Sequence, residues 1–182
     1  IFKELDERIR LSNLYGVMGN INVNINKLED AINYYNLAKQ IFLSEEMLAK
    51  HAQVLILQAE CYFTIDNIKN ALQNLNEAKE IADNFNMPML NARYSLLMAK
   101  INLNEAEYDE ALDFIDESID IFEEINNKVK LADTQLLKIR ILIKMDKLKK
   151  ASKIYKKVER LVDRLDDNKL SEELKRVSEL IN

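Results

Sequence analysis

Apolar residues recur along this chain with a period of 40 residues. The clearest column of the repeat holds four alanines, Ala31, Ala71, Ala111 and Ala151. Apolar or small residues flank each alanine at offsets of −3, +4, +7 and +11, which fall on one face of an α-helix. Each repeat is therefore predicted to contain an amphipathic helix with a small residue in the middle of its apolar face, where a neighbouring helix approaches closely.

A further helix precedes each alanine-bearing helix. Its apolar columns hold Val17, Leu57, Leu97 and Leu137, and Ile21, Cys61, Ile101 and Ile141. It is apolar over most of its circumference, which is typical of a helix packed between others. We call it the first helix of the repeat and the alanine-bearing one the second helix. Short joints are expected within repeats at 24–27, 64–67, 104–107 and 144–147, and longer joints between repeats near 43–46, 83–88, 125–128 and 165–169.

Four helix–turn–helix units in strict register predict an all-α protein whose repeats stack, because no unit buries its apolar face alone. The segment MGNINVNINKLEDAINYYNLAKQIF resembles the tetratricopeptide repeat (TPR), with Gly19, Ala31, Tyr35 and Ala38 at the family's small and aromatic positions. The period is similar to that of long-repeat members such as bacterial quorum-sensing peptide receptors. The resemblance implies a TPR-like α–α superhelix, or solenoid, that binds protein or peptide partners.

The register also predicts the domain organisation. A single solenoid domain spans 1–182, with repeats at 11–50, 51–90, 91–130 and 131–170. Ile1 and Phe2 match the column pair Ile41 and Phe42, so residues 1–10 are expected to end a preceding repeat. Residues 171–182 are predicted to be a capping helix or the start of a fifth repeat, with Ser171 as its N-cap. We expect the chain to be a segment of a larger, regulatory protein.

Three columns of the first helix are polar in every repeat, although the rest of that helix is mostly apolar. Their offsets of 0, +7 and +11 place them on one helical face. The resemblance implies that this face lines the concave groove of the solenoid. We expect a peptide-binding stripe here, although the same residues could simply be the exposed positions of a mostly buried helix. The predicted binding residues are Asn13, Asn20, Asn24, Gln53, Glu60, Arg93, Lys100, Asn104, Arg140 and Lys144.

The composition argues against an enzyme. Two glycines cannot form a glycine-rich phosphate loop, and the only histidine, His51, cannot by itself form a zinc cluster or a convincing base–nucleophile pair. We expect His51 to be a polar residue at the edge of the solenoid. Cys61 occupies an isoleucine column and is expected to fill the core. No catalytic residues, cofactor or metal ligands are predicted.

The charge is unevenly distributed around a net value of −5. Segment 105–124 holds ten acidic residues and no basic one, whereas segment 147–160 is strongly basic. We interpret the lysines as a solvated face beside an acidic helix, and expect neither nucleic acid nor a membrane as partner. A single cysteine favours a reducing compartment, hence the cytoplasm, and the bias toward Asn, Lys and Ile favours a bacterial source. The alternative to a binding scaffold is a structural spacer or a self-association domain.

Overall fold

The structure is a computed structural model that describes residues 2–181, with side chains from residue 4 onward. This part of the chain contains nine helices and no strand, which confirms the predicted all-α class. The helices are α1 (Phe2–Asn24), α2 (Leu28–Ser44), α3 (Leu48–Thr64), α4 (Ile68–Asn84), α5 (Pro88–Asn104), α6 (Tyr108–Glu124), α7 (Lys128–Lys144), α8 (Leu148–Leu165) and α9 (Asn168–Ile181). The odd-numbered helices α1 to α7 are the first helices of the repeats, and the even-numbered helices α2 to α8 are the second helices.

The seven turns from α1 to α8 share one length and one geometry. In the first of them, the N–H of Asn26 donates to the carbonyl of Val23 at 3.0 Å and that of Lys27 donates to Asn22 at 2.8 Å. This is the Schellman pattern, in which the residue after the helix adopts a left-handed conformation. The expectation of longer joints between repeats is wrong, because three residues separate consecutive helices from α1 to α8 and two residues separate α8 from α9.

The left-handed residues form a column of their own, at half of the 40-residue period. Six of the eight are Asn or Asp, the non-glycine residues that tolerate this conformation best. The column recurs every 20 residues, so the smallest regular unit is one helix with one turn. Its members are Asn26, Glu46, Asp66, Asn86, Ala106, Asn126, Asp146 and Asp166.

Both ends of the described chain differ from simple extrapolation of the register. Helix α1 runs from Phe2 to Asn24 without a turn, so residues 4–10 prolong the first helix of the first repeat. Ile1 and the side chain of Phe2, which suggested an earlier repeat, lie outside the described residues. The predicted N-cap at Ser171 is wrong: α9 begins three residues earlier, where Oδ1 of Asp167 accepts from the N–H of Leu170 at 3.0 Å. The repeat boundaries themselves stay a prediction.

The chain divides into two compact units, Ile1–Tyr94 and Ser95–Asn182, each with its own core. In the first unit, Ala38 and Phe42 of α2 pack with Val54 and Cys61 of α3. In the second unit, a cluster joins α7, α8 and α9 around Ile139, Ala151, Val158, Leu174 and Val177. All four residues of the alanine column are fully buried, as expected for positions where helices approach closely.

Gly19 shows how close that approach is in the first repeat. A Cβ atom placed on Gly19 would lie 2.3 Å from Cε1 of Tyr35, well inside van der Waals contact. Tyr35 on α2 is almost fully buried, and its hydroxyl donates to Oδ1 of Asn20 at 2.7 Å. Position 19 therefore requires glycine because the Tyr35 ring leaves no room for a side chain, and not because of a turn. The same tyrosine holds Asn20, one of the predicted binding residues.

Candidate functional site

In the first unit, four residues of the predicted stripe are exposed polar side chains. Asn13 and Asn24 lie on α1 and Gln53 lies on α3, all exposed to solvent. Asn20 is also exposed, although its Oδ1 is engaged by the hydroxyl of Tyr35. Nδ2 of Asn13 donates to the carbonyl of Ile9 one turn earlier, at 2.9 Å. The free amide groups of this part of the stripe therefore belong mainly to Asn24 and Gln53.

The two charged members of the stripe in the first unit are partners of each other. Nη2 of Arg93 on α5 lies 2.8 Å from Oε1 of Glu60 on α3. The Arg93 side chain is 21% exposed and that of Glu60 is 45% exposed, so the pair is only partly screened by solvent. These two residues therefore join consecutive first helices, and their role in binding stays a prediction.

In the second unit, the stripe divides into an exposed and a half-buried part. Asn104 and Lys144 are exposed, and each is the last residue of its helix. Lys100 and Arg140 are half-buried and line a cavity of about 150 Å³ between α5, α7 and α9. The wall of this cavity contains two basic, two acidic and three leucine side chains, namely Lys100, Arg140, Asp133, Glu173, Leu96, Leu136 and Leu137.

Arg140 repeats the arrangement of the Glu60–Arg93 pair with the charges reversed. Its guanidinium forms an ion pair with Glu173 of α9, and the two residues are as far apart in sequence as Glu60 and Arg93. Nε of Arg140 is buried and has no hydrogen-bond partner in the described part of the chain. The matching positions thus pair between α3 and α5 and again between α7 and α9. This recurrence supports the structural alternative for Glu60, Arg93 and Arg140.

A buried polar network in the first unit was missed by the sequence interpretation. Gln58 of α3 is fully buried, and its Nε2 donates to Oδ1 of Asn36 at 2.8 Å and to the carbonyl of Ile32 at 3.2 Å. Its Oε1 accepts from Nδ2 of Asn74 at 2.8 Å and from Nζ of Lys39 at 3.2 Å. The amide therefore uses its full bonding capacity to join α2, α3 and α4. Its signal in the sequence is a glutamine in a column that elsewhere holds methionine or lysine.

His51 belongs to the same interior and not to an edge, so that expectation is wrong. The ring is 1% exposed, with Nδ1 3.1 Å from the carbonyl oxygen of Lys39 and Nε2 2.7 Å from Oε1 of Glu77. His51 is buried because α2 and α4 both reach the first turn of α3 and enclose it. Both ring nitrogens face oxygen atoms, and the ring ties three helices together.

Cys61 is buried, which confirms its assignment to the core. Burial, reinforced by the nearby Glu60 carboxylate, raises the pKa of its thiol to about 11. A thiol with so high a pKa is almost entirely protonated at neutral pH and is a poor nucleophile. Burial also raises the pKa of the Tyr35 hydroxyl. Neither group has the lowered pKa that an activated nucleophile requires.

Within the second unit, the acidic segment 105–124 pairs with a lysine of α7 and with a lysine of the basic segment 147–160. Asp116 of α6 forms an ion pair with Lys138 of α7, and Asp109 of α6 lies 3.7 Å from Nζ of Lys147, just before α8. Other lysines of α8, among them Lys149 and Lys153, are exposed. In the described residues, no group of three or more His, Cys, Asp or Glu side chains is placed to hold a metal ion.

Across the same described range, we find no helix that combines the length and the apolar character needed to span a membrane.

Similarity to known proteins exists at the level of structure. No protein-family model matches the chain, and no curated protein matches it in sequence. Aspartyl phosphate phosphatase F from Bacillus subtilis superimposes with a TM-score of 0.87 and 19% identity, over 96% of this chain and 46% of that one. A Rap protein complexed with competence and sporulation factor gives a TM-score of 0.84 and 18% identity, over 91% of this chain and 46% of the other.

A putative kinesin light chain of TPR-like repeats from Podospora anserina is also similar, with a TM-score of 0.70 and 12% identity, over 95% of this chain and 87% of that one. The chain spans about half the length of the first two structures. Identities this low establish the fold and leave function to the residues of this chain. The chain therefore has the TPR-like helical-repeat solenoid fold.

Proposed function

We propose that the chain is a protein- or peptide-binding domain that holds an extended polypeptide segment along the polar stripe of its first helices. The observation that carries this proposal is the exposed polar residue that ends each first helix: Asn24 and Thr64 in the first unit, Asn104 and Lys144 in the second. An asparagine amide offers both a donor and an acceptor, which suits an extended peptide backbone. A lysine at the end of the series adds a preference for carboxylate groups.

The cavity between α5, α7 and α9 supports the same proposal. The buried Nε–H of Arg140 is unsatisfied in the described chain, and such donors are rare in folded proteins. A ligand oxygen would satisfy it. Lys100 lines the same cavity together with Asp133 and Glu173, so a ligand group that both accepts and donates, such as a main-chain amide, fits it best.

A Rap protein with this fold is complexed with competence and sporulation factor, so the fold is compatible with such binding. A bacterial, cytoplasmic regulatory protein is the setting that we propose, with this chain as its binding part and not as an enzyme. Aspartyl phosphate phosphatase F carries the name of an enzyme, yet this chain spans only 46% of that protein.

The proposal is tested without a known partner by selecting peptides from a random display library on the purified chain. Asn24→Ala and Asn104→Ala should each weaken the binding free energy of a selected peptide by about 0.5–1.5 kcal/mol, the usual net value of a hydrogen bond. Lys144→Glu should weaken the binding of an acidic peptide further, because it replaces attraction by repulsion.

Lys149→Ala and Lys153→Ala on α8 are the matched controls, since they remove exposed polar groups outside the stripe. These variants should bind the selected peptide as the parent chain does. Loss of binding in the α8 variants with full binding in the stripe variants would contradict the proposal, as would failure to select any peptide.

A further inference from the structure

The exposed sides of α6 and α8 carry opposite charges at the same positions of the repeat. Seven positions of α6 hold Asp or Glu, and the residue 40 positions after each of them, in α8, is Lys or Arg. All of these residues are exposed. The acidic face of α6 consists of Asp109, Glu110, Asp113, Asp116, Glu117, Asp120 and Glu124. The basic face of α8 consists of Lys149, Lys150, Lys153, Lys156, Lys157, Arg160 and Arg164.

The second helices of the first unit show no such pattern. At the same seven positions, only Glu29 and Asp30 of α2 are charged, and only Lys69, Glu77 and Glu80 of α4. The other positions hold mainly Asn and Gln. A helix in this place of the repeat therefore does not need a face of a single charge sign, and the inversion between α6 and α8 is specific to these two helices.

The charges of the basic face are not used inside the chain. Among the described residues, none of its seven cations has an ion-pair partner. At about 100° per residue they occupy a sector of about 120° and extend for about 22 Å along α8. The acidic residues of α8, Glu159 and Asp163, lie outside this sector. On the acidic face, the carboxylates without an ion pair or hydrogen bond in the described chain are Glu110, Asp113, Asp120 and Glu124.

The two faces lie side by side within the second unit. The carboxylate of Asp109 lies 3.7 Å from Nζ of Lys147, immediately before α8. Leu112 of α6 packs on the apolar cluster that contains Ala151 of α8. The first turns of the two helices are therefore close, and the two chain reversals that join them through α7 give both helices the same direction.

This arrangement determines which partner fits the basic face. An extended polyanion, such as a nucleic acid or an anionic membrane surface, would also meet the acidic face beside it and be repelled. A surface that carries both signs side by side matches both faces at once. A second copy of this chain has that surface, with seven charges of each sign.

A twofold axis that runs between α6 and α8, parallel to both, brings the faces of two copies together. It sets α6 of one copy against α8 of the other, and α8 of the first against α6 of the second. Because the charged positions share one register, Asp113 then faces Lys153 of the second copy, and Asp120 faces Arg160. These four residues lie near the centres of their faces.

We propose that two copies of this chain associate through these faces, with α6 of each copy against α8 of the other. Both copies use the same surface, so the assembly closes at a dimer. Exposed ion pairs are individually weak and are screened by salt, so the dimer forms at low ionic strength and dissociates as salt is added. The polar stripe lies on the first helices, so this association is independent of the proposed peptide binding.

Sedimentation equilibrium of the full chain tests the proposal. The parent should be a concentration-dependent dimer at about 0.05 M salt, with a dissociation constant at least about tenfold higher at about 0.5 M. Lys153→Glu with Arg160→Glu makes the centres of both faces acidic, and Asp113→Lys with Asp120→Lys makes both basic. Each double variant should dimerise with itself at least about 100-fold more weakly, because like charges then meet. All four positions are exposed, so the circular dichroism of both variants should match that of the parent.

Mixing the two double variants is the decisive experiment. Each supplies the charge that the other has lost, so the mixture should form a heterodimer about as stable as the parent dimer. Lys50→Glu with Lys69→Glu is the matched control for net charge, since both lysines are exposed in the first unit, and it should dimerise as the parent does.

Three results overturn the proposal: a parent chain that stays monomeric at low salt, a double variant that still dimerises with itself, or a mixture that stays monomeric. A monomeric parent that instead binds a DNA duplex or anionic lipid vesicles also overturns it.

Discussion

The two units of the chain fill equivalent register positions with different chemistry. In the first unit, Gln58 and Asn74 are buried and bonded to each other. In the last repeat of the second unit, the matching positions hold Lys138, which reaches a surface carboxylate, and Ile154, which packs on an apolar cluster. The alanine column and the turns therefore define the repeat. The positions between them accept buried polar groups wherever every donor and acceptor has a partner.

The largest expected effect comes from removing the centre of the polar network. Gln58→Leu should lower the free energy of unfolding by about 3 kcal/mol, because Asn36, Ile32 and Asn74 lose their partner in a buried environment. Urea unfolding monitored by circular dichroism measures the change. The matched substitution in the second unit, Lys138→Leu, should cost less than about 1 kcal/mol because it breaks one partly exposed ion pair. Equal losses in the two variants would erase the difference between the units.

The next effect depends on pH and comes from Cys61, whose counterpart in the last repeat, Ile141, cannot titrate. The folded-state pKa of Cys61 is raised from 9.0 to about 11, so the thiol favours folding while it is protonated. Its contribution is fully present below pH 9 and is lost as the pH rises toward 11. The stability of the parent chain relative to Cys61→Val should therefore fall by about 2 kcal/mol over this interval. A pH-independent difference between the two proteins would show that the thiol is not shielded.

A smaller effect is expected at the two glycines of α1. Gly19→Ala should lower stability by about 1–2 kcal/mol, because the new methyl group displaces the buried ring of Tyr35. Gly16→Ala should raise stability by about 0.5–1 kcal/mol, since nothing lies within 4 Å of its Cβ and alanine favours a helix. Thermal unfolding of both variants measures this. The same sign for both substitutions would mean that the α1–α2 contact is looser than described.

The smallest effect concerns the turns. Ala106 adopts a left-handed conformation at φ 62°, whereas its counterparts Asn26 and Asp66 in the first unit are residues that tolerate it. Ala106→Gly should raise the free energy of unfolding by about 1 kcal/mol. The same change at Asn126 should have almost no effect. A destabilised Ala106→Gly variant would contradict the description of this turn.

Much of the fold could be predicted from the sequence because a helical repeat is specified locally. The alanine column and the apolar columns identified all eight repeat helices, and the joints within repeats were placed correctly. The joints between repeats are shorter than predicted, because a 40-residue period does not reveal the Asn and Asp residues that end helices every 20 residues.

The side-chain partners could not be read from the sequence. Glu60 with Arg93 and Arg140 with Glu173 are pairs between helices, and only the packing of α3 with α5 and of α7 with α9 brings them together. His51 was placed at an edge for the same reason, because the sequence does not show that two neighbouring helices enclose it. Exposed members of the stripe such as Asn104 and Lys144 remain predicted binding residues.

The central claim is that the stripe contains a structural part, which pairs first helices, and a free part, which binds a polypeptide. The most direct measurement is the change in amide NMR signals of the ¹⁵N-labelled chain when a display-selected peptide is added. The NMR signals of the Asn24 and Asn104 side-chain amides should shift most, together with the backbone amide signals next to Lys144. Shifts confined to α8 around Lys149 and Lys153 would contradict it.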